Sequence, residues 1–363
     1  MSYGQTKVVL AVAAVITCSC VFLFTAASQP VDIVAGKDGP TVPAPIDEWL
    51  FAGDGFEGTF IQLTDDHRTW TAEQWRNEFA NLRKIGLDTL IIQWVEYEDS
   101  NFFTAEQGGI NPIEVIAATA DDAGIDLYVG LSLRKSWWHT TNVNPKLLGE
   151  ELTRNKQVAD QIYPLLKPHK SFRGWYIPHE VSDEVYTVQQ RRLILGFFKE
   201  LTSFLNSLDP LKVTIASGYA NPDKSNLVQF VAWWTRFFDT SGVDVLILQD
   251  GAGVAGRGKW QNILPFAEAI CALDEDFEGD VWLLAEVFTQ IDGPPLNNNQ
   301  FKAKPADFER VRAQLDTLGA FKKKLIAYSY FDYMRPLAGP EAAQLYEAYQ
   351  LYIKQKTAEN AGV

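Results

Sequence analysis

Residues 71–94, TAEQWRNEFANLRKIGLDTLIIQW, hold the pattern that decides the fold. Trp75, Phe79, Leu82 and Ile85 recur at i, i+4, i+7 and i+10, which puts one apolar stripe along a helix. The stripe stops at Gly86, a residue suited to ending a helix, and Leu87-Asp88 lead straight into the run TLIIQW. That run is apolar on both faces, as strands buried in a parallel sheet are. A helix handing over so quickly to a doubly buried strand is half of a βα repeat.

The same unit recurs along the chain. Strands are expected at 58–63 (GTFIQL), 88–94 (DTLIIQW), 126–133 (DLYVGLSL), 172–178 (FRGWYIP), 212–218 (KVTIASG), 243–250 (VDVLILQD), 281–288 (VWLLAEVF) and 324–331 (KLIAYSYF). Helical patterns alternate with them at 71–85, 112–123, 145–167, 187–206, 225–238, 260–273, 305–320 and 339–355. Eight such pairs predict an α/β protein with a single (β/α)8 TIM barrel, a fold of ~250 residues before insertions. An open doubly wound sheet is the alternative, but no G-x-G-x-x-G or G-x-x-x-x-G-K-[ST] loop follows any strand.

The remaining length lies ahead of the barrel. Residues 8–27, VVLAVAAVITCSCVFLFTAA, follow Lys7 and end in small residues, the order of a secretory signal peptide. A run of this length also suffices to span a bilayer as a membrane anchor. Residues 29–50 are rich in Pro, Gly and Asp at their start and read as a tether, leaving 51–363 for the barrel. The chain is therefore expected to be exported to the periplasm or beyond. Of three cysteines, Cys18 and Cys20 lie in the export segment, so the lone Cys271 offers no internal disulfide and reads as core.

Composition narrows the function. The chain has 363 residues, 47% of them hydrophobic and 13% aromatic, which excludes a disordered chain. A net charge of −14, or −15 once residues 1–28 and their single Lys7 are removed, argues against a nucleic-acid partner. His67, His139, His169 and His179 form no H-x-x-x-H or H-E-x-x-H pattern, so neither a metal nor a cofactor is expected. No G-x-S-x-G elbow points to an esterase.

In a barrel of this kind catalytic groups sit at the carboxyl ends of the strands. The fourth strand leads into Pro178-His179-Glu180, and Glu286 interrupts the otherwise apolar seventh, VWLLAEVF. A charge there needs a partner or a task. Two carboxylates across a barrel mouth suit glycosidic cleavage, in which one protonates the leaving oxygen and the other attacks or activates water. Asp250, after the sixth strand, is a rival carboxylate whose simpler role is to hold the Gly251-Ala252-Gly253 turn. Gln249, Asp332, Glu96 and Glu98 are further polar strand-end residues.

The strings GTFIQL (58–63), IGLDTLIIQW (85–94), GWYIPHEV (174–181) and VLILQDGAG (245–253) resemble a family of glycoside-hydrolase-like barrels catalogued as domain of unknown function 4434. The arrangement also resembles the clan A glycoside hydrolases, with glutamates after strands four and seven. That resemblance implies Glu180 as acid/base and Glu286 as nucleophile, with retention. It implies Asn before the acid/base, bonded to the sugar 2-hydroxyl, whereas this chain has His179, a donor when neutral.

Aromatic side chains form platforms for the apolar faces of sugars. Trp94, Trp137, Trp138, Tyr219 and Tyr330 are expected near the rim, whereas Trp75, Trp233, Trp234 and Trp282 read as core. The partner expected is a polysaccharide, within an exopolysaccharide system. A catalytically silent carbohydrate-binding barrel is the second reading. A polysaccharide lyase, with Arg134 neutralising an acidic sugar, is the third.

Overall fold

Every one of the eight apolar runs becomes a parallel strand. In a computed structural model, which describes residues 55–105, 111–138, 143–254, 259–273, 279–294 and 296–360, the strands are β1 (Gly58–Ile61), β2 (Thr89–Ile92), β3 (Asp126–Gly130), β4 (Phe172–Ser182), β5 (Val213–Tyr219), β6 (Val245–Gln249), β7 (Asp280–Glu286) and β8 (Leu325–Tyr328). They pair in chain order, and β8 closes the ring against β1. The (β/α)8 barrel is thus established. The signal or anchor at 1–28 and the tether at 29–50 lie outside the described residues.

The helices are α1 (Ala72–Lys84), α2 (Pro112–Ala123), α3 (Pro145–Leu166), α4 (Val188–Leu208), α5 (Leu227–Ser241), α6 (Leu264–Leu273), α7 (Phe308–Leu318) and α8 (Pro340–Asn360). Local chemistry sets their ends. Thr71 with Gln74, and Thr187 with Gln190, form capping boxes at α1 and α4. Gly124 ends α2 in the left-handed region, at φ 64°, where a side chain would be strained. α6 starts later than the apolar pattern because Trp260–Ile263 form a 3-10 turn. On α1 the expected stripe of Trp75, Phe79 and Leu82 is buried. Trp233, Trp234 and Trp282 are core as expected, while Cys271 is half-buried.

Contacts across the ring show which side chains fill the barrel. Phe60 on β1 meets Tyr176 on β4 with ring centroids 5.2 Å apart, and Tyr128 on β3 meets Trp282 on β7 at 5.6 Å. Neither pair sits on neighbouring strands, so both contacts pass through the interior. Side chains alternate along a strand, and residues in register across parallel strands share a face. The interior layers can therefore be followed upward to the carboxyl ends of the strands.

Candidate active site

Glu286 is the last residue of β7 and lies in register with Tyr328 of β8. Four residues beyond the interior Trp282, it points into the barrel mouth and is only 3% exposed. Its Oε2 accepts the backbone N–H of Gly253 at 2.7 Å. A Cβ at residue 253 would lie 2.6 Å from Phe288 Cε2, so glycine permits this approach. From the outer side Arg310 of α7 donates to the Glu286 carbonyl at 3.0 Å and also to the Phe288 carbonyl. Burial pulls the Arg310 guanidinium down, while the charges of Asp250, Glu286 and Asp307 push it up.

Glu180 reaches the same mouth through an irregularity in β4. Ile177 pairs with Ala216, but the next pair is Val181 with Gly218, so β4 carries two extra residues. An insertion of two preserves the alternation that a single-residue bulge would invert. Val181 stays on the outer side with Gly218, which backs onto Trp234 of α5. Glu180 consequently faces inward and is half-buried. Its surroundings are phenolic. Burial first, then the charge of Glu180, pushes the Tyr176 phenol up. Burial, then Tyr219, then Glu180, does the same to Tyr186.

The same alternation turns His179 away from the mouth. It is fully buried between β4 and the helices, with Nε2 3.1 Å from Glu151 Oε2 on α3 and its ring 4.7 Å from both Trp137 and Phe197. The expectation of a sugar 2-hydroxyl contact is corrected accordingly: a residue next to an inward glutamate on a strand must face outward.

Around the mouth, Tyr219 is in register with Gln249, and Gln249 with Leu284, two residues before Glu286. Tyr219 and Gln249 thus join Glu180 and Glu286, as expected. On the other side Gln62 lies two residues beyond Phe60, and Gln93 two beyond Ile91, which pairs with Phe60. Gln62 Nε2 donates to Gln93 Oε1 at 2.9 Å and to the Tyr328 hydroxyl at 2.7 Å, and that hydroxyl donates to Gln93 Oε1 at 3.0 Å.

Other expected residues are engaged elsewhere. Asp250 faces α7: Oδ1 accepts from the amides of Ala252 (3.0 Å) and Glu286 (3.1 Å), and Oδ2 accepts from Gln314 at 2.5 Å. It fixes the turn and β7, which corrects its expected place among substrate contacts. Arg134 pairs with Glu150 at 2.9 Å and Glu151 at 3.5 Å. Trp137 is buried and donates to the Glu180 carbonyl at 3.1 Å, so it supports β4 from behind. Tyr330 is fully buried, with its hydroxyl on Glu78 at 2.9 Å, and is not a rim residue. Trp94 stacks on Tyr97 at 4.6 Å, and Trp138 is buried close to Tyr97. These three form an aromatic wall on the loops after β2 and β3. Asp332 accepts the Ser329 hydroxyl just after β8, and burial pushes its carboxyl up to about 6. Glu96 is held by Arg154 and by Ser132 at 2.8 Å, and Glu98 by the Lys135 amide.

Sequence reasoning missed Gln62, Gln93, Tyr328, Gly253 and Arg310. The two glutamines ended strings that read simply as strands. The common interior parity of 60/62, 91/93 and 326/328 was the signal that could have found them.

A family model described as "Domain of unknown function (DUF4434)" matches residues 56–344. The "Uncharacterized protein YbcH" of Escherichia coli strain K12 is 29% identical over 191 residues, which is 51% of this chain and 61% of YbcH. The chain thus spans less than two thirds of that relative's length. Among solved structures, a candidate α-L-fucosidase from Bacteroides thetaiotaomicron superimposes with a TM-score of 0.67 at 19% identity, covering 86% of this chain and 99% of its own. The endo-1,4-β-mannanase of Rhizomucor miehei gives 0.56 at 12% identity, over 83% and 95%. The β-galactosidase of Marinomonas ef1 gives 0.53 at 10% identity, over 84% and 60%. At these identities the likeness establishes the barrel.

Proposed function

The chain belongs to the DUF4434 family, and on that premise we propose that it is a glycoside hydrolase with Glu180 as acid/base and Glu286 as nucleophile. One observation carries the reading: the strand registers turn both carboxylates into the same mouth, from β4 and from β7. Their surroundings differ in the sense the two roles require. Glu286 accepts a backbone N–H and has Arg310 close by, both of which favour a carboxylate anion. Glu180 sits among tyrosines, where an uncharged carboxyl is better tolerated.

The chemistry then runs in two steps. Glu286 attacks the anomeric carbon as the glycosidic C–O bond breaks and Glu180 gives its proton to the leaving oxygen. Glu180 next takes a proton from water, whose oxygen attacks the same carbon and releases Glu286. Two inversions give net retention. Arg134, the group a lyase would use to neutralise an acidic sugar, is already bound to Glu150 and Glu151. The sequence at 8–27 supports export, and with it a polysaccharide substrate met outside the cytoplasm.

The test is a panel of polysaccharides followed by reducing ends and by unsaturated products, with wild type, Glu180→Gln and Glu286→Gln. Release of reducing ends by wild type, lost in both variants while folding persists, is expected. Full activity in either variant removes that residue from the mechanism. Unsaturated ends would make the protein a lyase, and binding without products a silent barrel.

A further inference from the structure

Residues 178–180 form the stretch of β4 that its neighbouring strands do not pair. Pairing with β3 ends at Tyr176, opposite Gly130, and pairing with β5 passes from Ile177 straight to Val181. Pro178 has no N–H to give. Backbone groups that leave a ladder inside a protein need other partners. Trp137, on the turn after β3, supplies one. Its indole Nε1 donates to the Glu180 carbonyl at 3.1 Å, and the Tyr186 hydroxyl stands 3.5 Å from the same oxygen.

Trp137 is itself held in place. It is buried, and its amide donates to the Arg134 carbonyl at 3.0 Å. Arg134 Nε lies 3.5 Å from Glu151 Oε1, and Glu151 Oε2 lies 3.1 Å from His179 Nε2. The His179 ring meets the indole edge to face, at 4.7 Å and 80°. These contacts close a circuit through the turn after β3, α3 and β4. Asn155 of α3 reinforces it by accepting the Ser132 amide at 3.1 Å and donating to the Glu151 carbonyl at 2.8 Å. The circuit grips two consecutive residues of β4, His179 by its ring and Glu180 by its carbonyl. With the ring of His179 fixed behind the strand, alternation turns the side chain of Glu180 into the mouth.

We propose that Trp137 is a positioning residue for Glu180: its indole N–H fixes the Glu180 peptide so that the carboxyl is aimed at the oxygen it protonates. This rests on the hydrolase reading for what Glu180 does, while Trp137 acts from behind β4 through Glu180. Glu286 is held separately, by the Gly253 amide and by Arg310. Loss of the indole N–H therefore falls on protonation of the leaving group and spares attack by Glu286.

The experiment compares the full chain with Trp137→Phe, which keeps an aromatic ring and removes the N–H. Substrates come in pairs: β-linked oligosaccharides of mannose, glucose, galactose and xylose, and the dinitrophenyl β-glycosides of the same sugars. Dinitrophenolate leaves without a proton, so kcat/KM on it reports attack alone, whereas a sugar leaving group needs the acid. In the variant kcat/KM should fall at least about tenfold on the oligosaccharide and less than about twofold on its dinitrophenyl partner. An equal fall on both, or no fall on either, overturns the proposal. If Trp137→Phe does not fold, benzothienylalanine in place of Trp137 keeps the bicyclic shape, removes only the N–H and faces the same outcomes.

A second readout needs no turnover and decides the matter if wild type cleaves none of these probes. With isotope-labelled glutamate, the carboxyl NMR signals of Glu180 and Glu286 are assigned from Glu180→Gln and Glu286→Gln. Loss of the indole N–H should move the Glu180 signal and leave that of Glu286 in place. A Glu180 signal that stays, or two signals that move alike, overturns the proposal. A moved Glu180 signal in a protein that cleaves nothing on the polysaccharide panel would defeat the hydrolase reading and leave Trp137 as the residue that fixes Glu180. Cleavage by wild type with equal effects on both substrate classes would do the reverse.

Discussion

The backbone N–H of Gly253 and Oε2 of Glu286 lie 2.7 Å apart, which ties the loop after β6 to the carboxylate at the end of β7. The loop can come that close because residue 253 has no side chain: a Cβ would sit 2.6 Å from Phe288 Cε2 and 2.7 Å from the Phe288 carbonyl oxygen. Gly253→Ala must therefore push the loop off β7 and lengthen the bond to Glu286. We expect a stability loss of about 1–3 kcal/mol, the range of overpacking, read by urea denaturation. On the proposed mechanism, hydrolysis should fall by about tenfold or more, because a misplaced Glu286 carboxylate loses orientation. A variant with wild-type kcat would mean that Glu286 does not depend on this amide.

Arg310 joins two jobs in one side chain. It donates to the carbonyls of Glu286 and Phe288, and its charge lies close to both Asp250 and Glu286. Burial pushes the Asp250 carboxyl up, and Arg310 is among the groups that hold it back. Arg310→Met keeps the bulk and removes the cation, leaving the Glu286 and Phe288 carbonyls without their donor and both carboxylates without its charge. The expected cost is about 1–3 kcal/mol, the range for leaving buried acceptors unsatisfied. The acid limb of the activity profile should move to higher pH, since both carboxylates become harder to ionise. An unmoved acid limb would show that the Arg310 charge is not felt at the site.

Much of this site was legible in the sequence, and the reason is periodicity. Doubly apolar strands and capped amphipathic helices marked all eight repeats, and a charge inside VWLLAEVF was conspicuous enough to mark Glu286. The direction of individual side chains near the strand ends was harder. Trp137 and His179 look like loop residues, yet both pack behind β4, because the strand runs on to Ser182 with two residues inserted. Tyr330 looked like a rim aromatic, but the chain turns into a short helix at Tyr330–Tyr333 and buries it against Glu78. Gln62 and Gln93 were passed over because neutral amides at strand ends carry no charge to attract notice. Their meaning depends on a contact across three strands.

His179 and Glu151 form a fully buried pair behind β4. Glu151→Leu should cost about 3–5 kcal/mol, as loss of one partner strands His179 and loosens Arg134. His179→Phe should also destabilise, by leaving the Glu151 charge with Arg134 alone. The double variant should recover part of the loss, because an apolar pair of similar volume does not carry a buried charge. Strict additivity in a double-mutant cycle followed by denaturation would show that the two side chains do not act as a pair.

Asp332 links stability to pH in a direction that can be worked out. Burial raises its carboxyl from an ordinary 3.8 to about 6, against the Ser329 hydroxyl bond and the Arg335 charge, which lower it. The folded chain therefore holds this proton more tightly than the unfolded chain. The resulting stabilisation is complete below about pH 4 and is lost as pH rises through about 6. An asparagine side chain at this position would carry no charge at any pH, so Asp332→Asn should match wild type near pH 4 and exceed it in melting temperature near pH 7. His67, pushed down to about 4 by burial and then by Arg335, acts in the opposite sense over the same range. Wild-type melts alone would mix the two, whereas the difference between variant and wild type isolates Asp332. An offset that stays constant from pH 4 to pH 7 would show that Asp332 titrates at the same pH folded and unfolded.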